Sequence, residues 1–323
     1  MSLATAIFLP GSIIGAESTI RVSQVGCPNI SVASLETSTS FFTTVLDFKQ
    51  RNQQDSSSVA RLAPGMPAKT EARSQHLTLG DECLDLTEYT FPKGQPFPAD
   101  SHGNDRWFQH IAIVISDMDK AYARLREARV QFVSNGPQTL PRSNKQAAGI
   151  SAVYFRDPDG HFLELIHYPA DKGQPKWHTQ SSALFLGIDH TAIAVSDTLR
   201  SLAFYRDKLH FHIVGESENF GLEQEHLSGV LKAHVLITAL RSDSGPGIEL
   251  LNYLSPTSGR SLPNLLPNDI ASWQIPIEVS ISKSEKDIGG LHWQKLPANQ
   301  RGTEAAWIKD PDGHLVQLIL VGE

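Results

Sequence analysis

The chain has 323 residues, of which 40% are hydrophobic and 20% charged, with a formal net charge of −7 and a pI of about 6.0. That composition excludes a disordered chain, and the acidic balance with no Lys/Arg run excludes a nucleic-acid surface. Two cysteines, Cys27 and Cys83, with no CxxC pair, exclude a disulfide-rich scaffold and read as packed thiols.

Residues 1–22 form an N-terminal segment. Its short apolar piece, 6–14, is broken by Pro10 and Gly11 and lacks a basic flank, so it does not read as a signal peptide. No apolar stretch reaches the ~20 residues of a membrane span. A cytoplasmic chain with no membrane partner is the expectation.

The rest of the chain repeats itself. A first unit, 23–93, carries Phe41, Phe42, Leu46 and Phe48, and this spacing returns as Phe204, Tyr205, Leu209 and Phe211 in a third unit, 186–258. The second unit, 104–170, opens on an alternating run from Gln109 to Asp117, which matches the run from Asp189 to Asp197 in the third. Both runs alternate as strands do and end on an Asp suited to cap a helix. Helices are predicted over 118–128 and 198–208, with Ala121, Leu125 and Ala128, or Leu199, Leu202 and Tyr205, on one face. The second unit closes on Asp157–Pro158–Asp159–Gly160–His161, a tight turn between two strands. The fourth unit, 268–323, repeats that turn as Asp310–Pro311–Asp312–Gly313–His314, but its helical region, 282–291, is short and contains Gly289 and Gly290. A linker, 171–185, separates two halves, 23–170 and 186–323. In each turn the His lies three residues before the last-strand position identified below, so it points to the other face, and the Asp residues read as turn formers.

Four such units, with the phrases from Asp189 to Asp197 and from Phe155 to Ile166, resemble the vicinal oxygen chelate superfamily of glyoxalases, bleomycin-resistance proteins and extradiol dioxygenases. The resemblance implies an α+β fold: four βαβββ modules forming two curved, eight-stranded mixed sheets, with a glyoxalase-like domain in each half. It further implies that two modules join edge to edge into a cup, and that each can give the cup one ligand from its first strand and one from its last.

Aligned by their helices, the units place Cys27, His110, His190 and Gln274 at the first-strand position, and Asp85, Glu164, Glu249 and Gln317 at the last. If units pair in chain order, each cup holds one good half-site. If they cross, two with three and one with four, one cup gathers His110, Glu164, His190 and Glu249. The ligand distribution favours the crossed pairing. Two imidazoles and two carboxylates then suit one divalent ion, with Zn, Ni, Mn and Fe all compatible. The opposite cup, with Cys27, Asp85, Gln274 and Gln317, is a poor set.

By the same resemblance the leading expectation is a metal-dependent lyase or isomerase. It would act on a small carbonyl-containing substrate by proton abstraction through a metal-bound enediolate, with Glu164 or Glu249 as the catalytic base. The alternatives are an Fe(II) dioxygenase and a metal-free small-molecule binding protein. The expected assembly is a monomer or loose dimer.

Overall fold

The computed structural model describes residues 20–322, apart from 61, 263, 282–290 and 299. The expected helix at 282–291 therefore lies almost wholly outside the described residues, as does the N-terminal piece 6–14.

Unit one comprises β1 (Arg21–Val25), β2 (Asn29–Ser31), α1 (Leu35–Val45), β3 (Lys49–Asp55), the short α2 (Ser57–Ala60), β4 (Glu71–Leu79) and β5 (Glu82–Phe91). Unit two comprises β6 (Phe108–Ile115), α3 (Met118–Glu127), β7 (Gln131–Phe132), β8 (Gln138–Thr139), β9 (Ser151–Arg156) and β10 (Phe162–His167). A 3-10 turn, Pro175–His178, lies in the linker. Unit three comprises β11 (Phe185–Val195), α4 (Thr198–Leu202), β12 (His212–Phe220), α5 (Leu222–Ser228), β13 (His234–Arg241) and β14 (Gly247–Ser255). Unit four comprises β15 (Trp273–Ser280), β16 (Gln294–Lys295), β17 (Glu304–Lys309) and β18 (Leu315–Leu320).

The strands form two nine-stranded mixed sheets. One runs β12-β13-β14-β11-β6-β10-β9-β7, with β8 added on β9; the other runs β16-β17-β18-β15-β2-β5-β4-β3, with β1 added on β15. Units two and three thus share a sheet, and so do units one and four. The halves in sequence are not the halves in space. The extra strands β1 and β8 account for nine strands where eight were expected.

The helices after β6 and β11 are capped by their own sequence. Asp117 accepts the Lys120 N–H at 3.0 Å, and Asp197 accepts the Arg200 N–H at 3.1 Å. Ala121 and Leu125 are buried, but Ala128 caps the helix in solvent. In unit three, Leu202 and Tyr205 are buried whereas Leu199 is 76% exposed. The apolar face is narrower than the periodicity predicted, and α4 widens after one turn into a π-helix, Ala203–Lys208. The repeat also shows in the backbone. The residues that follow the helices of the first three units, Asp47, Arg129 and His210, are all left-handed without being glycine.

Burial follows the period of two. Ile111, Ile113 and Ile115 enter the large shared core, while Ala112 and Val114 face the other side of the sheet with Ile166 and Trp177. The turns expected at 157–161 and 310–314 are present, with Gly160 and Gly313 at positive φ. They also tie unit to unit. Asp159 accepts the Ala33 N–H at 3.0 Å, and Asp312 accepts the Ser196 N–H at 3.0 Å, so each turn docks where a neighbouring unit passes from strand to helix.

The cysteines correct the sequence reading. Cys27 and Cys83 are joined in a disulfide, with Cα atoms 4.9 Å apart, and are not packed thiols. The loop between β1 and β2 lies over the start of β5, a proximity that local periodicity does not carry.

His161 is fully buried, with Nδ1 2.8 Å from Asp157 Oδ2 and Nε2 2.7 Å from the Ile270 carbonyl. Both nitrogens face acceptors, so both must donate, and the ring is an imidazolium. Burial opposes that charge, but the Asp157 carboxylate outweighs it and holds the pKa above its ordinary value. A raised folded pKa gives stability that is complete below the unfolded value and is lost as pH rises through the folded one. His161→Gln should therefore destabilise by about 3 kcal/mol at about pH 6. The gap between variant and parent should narrow with rising pH. Denaturant unfolding across pH checks this; a gap that widens would contradict the imidazolium.

Candidate metal centre

The seam of the two-three sheet is the antiparallel pair β6–β11, in which His110 stands opposite Ala192 and His190 opposite Ala112. Flanking it in parallel, β10 sets Glu164 opposite Ala112, and β14 sets Glu249 opposite Ala192. Small alanines at the matching positions let the four longer side chains converge on one face. Of the four expected residues, His110, Glu164 and His190 bring their ligand atoms within 4.8 Å of one another, and Glu249 stands beside them against His190.

His110 Nε2 lies 3.3 Å from His190 Nε2 and 3.1 Å from Glu164 Oε2. His190 Nε2 lies 3.6 Å from Glu164 Oε2 and 3.3 Å from Glu249 Oε2. Two donors each ~2.1 Å from one ion sit ~3.0–3.6 Å apart at angles of ~90–120°, so these separations fit a shared cation. The ring nitrogens fit as well. His110 Nδ1 is bonded to Gln109 Oε1, and His190 Nδ1 lies 3.0 Å from Asp189 Oδ2. An acceptor on Nδ1 places the proton there and leaves Nε2 its lone pair. Hard oxygens with two imidazoles suit a divalent first-row metal.

Asp189 is the site's anchor, and sequence reasoning gave it no role. Its carboxylate accepts from Arg241 Nη2 at 2.7 Å, Trp177 Nε1 at 2.7 Å and Tyr168 Oη at 3.1 Å, besides His190. Burial alone would raise its pKa, but His190, Arg241 and Trp177 outweigh it and hold the group well below the usual carboxylate range. Trp177 belongs to the linker and Tyr168 stands just before it, so this stretch does more than connect. An indole and a phenol in a Pro/Gly/Lys-rich stretch were the available signal.

Electrostatics match the donor set. Burial opposes charge on His190, but Glu249, Asp189 and Glu164 outweigh it and push its pKa up to about 9. The site gathers negative charge and takes up a proton where it lacks a metal. Burial raises Glu249, helped by the neighbouring Glu164. Glu249 and Glu164 differ in access. The Glu249 side chain is 21% exposed and lines a cavity of about 850 Å³ with Asp189, Arg241 and Tyr168, whereas the Glu164 side chain is 6% exposed and lies beneath it. The Tyr154 ring lies tilted against the His110 ring, 4.9 Å between centroids, and covers it.

The opposite cup does not repeat this arrangement. β2 and β15 share only the pairs Trp273–Ile30 and Gln274–Asn29. Gln274 Oε1 accepts from Trp307 Nε1 at 3.2 Å, Asp85 Oδ1 lies 2.8 Å from His76 Nδ1, and Cys27 is tied to Cys83. His76, on β4, was missed because that strand holds neither of the two ligand positions. His161 and His314 sit away from the donors, each bonded to the Asp of its own turn, as expected of turn residues.

Comparison with known proteins agrees with this architecture. A profile of the Glyoxalase/Bleomycin resistance protein/Dioxygenase superfamily matches residues 22–165 and 187–265. The chain is 22% identical over 252 residues to glyoxalase I of Saccharomyces cerevisiae, covering 73% of this chain and 72% of that protein. It is 28% identical over 179 residues to a lactoylglutathione lyase of Pseudomonas putida, covering 51% of this chain and 97% of that one. The crystal structure of glyoxalase I from Zea mays superposes with a TM-score of 0.56 at 15% identity, over 94% of this chain and 92% of that one, a likeness of fold. With its two crossed mixed sheets and a profile match across most of its length, the chain belongs to the Glyoxalase/Bleomycin resistance protein/Dioxygenase superfamily.

Proposed function

We propose that the chain is a metal-dependent lyase or isomerase of glyoxalase type, acting on a small carbonyl compound that carries a hydrogen on the adjacent carbon. The observation that carries this reading is the cluster of His110, His190 and Glu164, whose ligand atoms all lie within 4.8 Å of one another, with the Glu249 carboxylate 3.3 Å from His190 and lining an open cavity. His110, His190 and Glu164 would hold a divalent ion, Zn, Ni, Mn or Fe, with Glu249 as a fourth donor. The chemistry supplied by such an ion is Lewis acidity toward a carbonyl oxygen.

The rest falls to the protein. Asp189 and Gln109 keep the two imidazoles in the tautomer that presents Nε2. Tyr154 and the buried Glu164 exclude water from the floor. Glu249, the reachable carboxylate, takes a proton from the carbon next to the carbonyl and returns it to the neighbouring position. The relatives' names suggest the first substrate to try, lactoylglutathione.

The test depletes the protein with a chelator and reloads it with each of the four metals. Loss of lactoylglutathione and exchange of its C–H for solvent deuterium are then followed. Turnover or exchange with at least one metal is expected. A chain that binds one metal yet catalyses neither would defeat the reading. Asp189→Asn is expected to weaken metal uptake about 10–100-fold, because the His190 ring loses its ionised partner. Calorimetric titration checks this, and unchanged affinity would show that the ring needs no such support.

A further inference from the structure

The cup formed by units one and four contains a cluster that the two-three site does not use. Cys27 Sγ, Cys83 Sγ and a ring nitrogen of His76 all lie within 4.8 Å of one another. All three residues are half-buried, so solvent and small reagents can reach them. Cys27 and Cys83 line a cavity of about 400 Å³ together with Asp85 and Gln317. Asp85 shares its face of β5 with Cys83 and stands directly opposite His76, whose Nδ1 it contacts at 2.8 Å.

A disulfide sulfur is a poor metal ligand, but a thiolate is a strong one. We propose that opening the Cys27–Cys83 bridge converts this cluster into a second, thiolate–imidazole metal site, selective for Zn²⁺, with Cys27, Cys83 and His76 as ligands and Asp85 as the residue that positions the His76 ring. Two sulfurs and one imidazole are a recognised zinc set, and a carboxylate on the second ring nitrogen is the usual support for such a histidine. A dithiol reductant supplies two electrons and two protons, which become the thiol hydrogens of Cys27 and Cys83, and leaves as its own cyclic disulfide. Binding of Zn²⁺ then releases those two protons to solvent as both sulfurs become thiolates.

The bridge and the metal exclude each other. The unit one–four cup is thus closed in an oxidising compartment and open to zinc in a reducing one. Its ligands differ in kind from those of the two-three cup. That cup offers nitrogen and oxygen only, whereas this one would prefer softer ions.

The test uses the full chain, oxidised or treated with dithiothreitol and then freed of it without air. Thiol titration should find no free thiols before treatment and two afterwards. The reduced protein should bind one more equivalent of Zn²⁺ than the oxidised protein. With Co²⁺ as probe, the additional equivalent should show a sulfur-to-cobalt charge-transfer band. This band cannot arise from the two-three cup, so failure there and failure here are told apart. The band should vanish in the Cys27→Ser, Cys83→Ser double variant, with the fold checked by circular dichroism. In Asp85→Asn, zinc affinity should fall about 10–100-fold. No additional equivalent on reduction, an additional equivalent without the band, a double variant that keeps the band, or a bridge that yields no thiols would each overturn the proposal.

Discussion

His190→Ala is expected to remove bound metal and turnover together. His190 Nε2 lies 3.6 Å or less from three other donors, so its loss leaves a hole in the middle of the set. It also strips Asp189 of its imidazole partner while Arg241 still holds that carboxylate in place. The remaining site keeps His110 and two carboxylates, a weaker and more repulsive set. Metal affinity should drop by more than about 100-fold, beyond the range seen when only a supporting partner is lost. His110→Ala should behave alike. Gln274→Ala, at the equivalent position of the other cup, should leave the metal nearly unchanged, since Gln274 Oε1 is already committed to Trp307. Elemental analysis of the oxidised protein, per mole of chain, checks all three. Retention of metal in both histidine variants with its loss in Gln274→Ala would place the centre in the wrong cup.

Glu249→Gln should instead separate binding from chemistry. The amide keeps the shape and one carbonyl donor but can no longer take up a proton. Turnover of the metal-loaded protein should fall about 10²–10⁴-fold, the range for loss of a general base. Metal should remain bound, with weaker affinity. Glu164→Gln should show the reverse emphasis, because Glu164 touches both imidazoles and does not line the cavity. Deuterium exchange at the substrate carbon, measured beside metal content, distinguishes the two. Equal loss of exchange at equal metal content in both variants would show that neither carboxylate is the specific base.

Much of this was legible in the residues. The Asp-Pro-Asp-Gly turns, the strand runs ending on Asp117 and Asp197, and the period of two around His110 and His190 are local signals, and local physics writes them. The crossed pairing was reached from ligand chemistry together with the family resemblance that marks the ligand positions: His and Glu occur twice in units two and three, and a poor set is left for units one and four. What local pattern could not supply is proximity between distant segments. Cys27 and Cys83 are 56 residues apart and meet only because the loop before β2 folds over β5. The support of Asp189 comes from β13, from the linker's 3-10 turn and from the residue after β10, so no spacing rule would gather Arg241, Trp177 and Tyr168. The π-helix at Ala203–Lys208 was hidden because a 3.6-residue pattern fits its apolar residues almost as well.

The crossed sheets also impose an order in time. As the chain leaves the ribosome, β2 has β5 beside it early, but its other neighbour, β15, is made some 240 residues later. β6 waits less long for β11, which follows one unit on. The two-three sheet can therefore close while the one-four sheet still presents a bare edge, and unit one keeps that edge open until unit four is made. Contacts of such long range make for slow folding. They also mean that a chain stopped after residue 170 would carry His110 on an unpaired strand edge, with Glu164 one strand further in, and would lack His190 and Glu249.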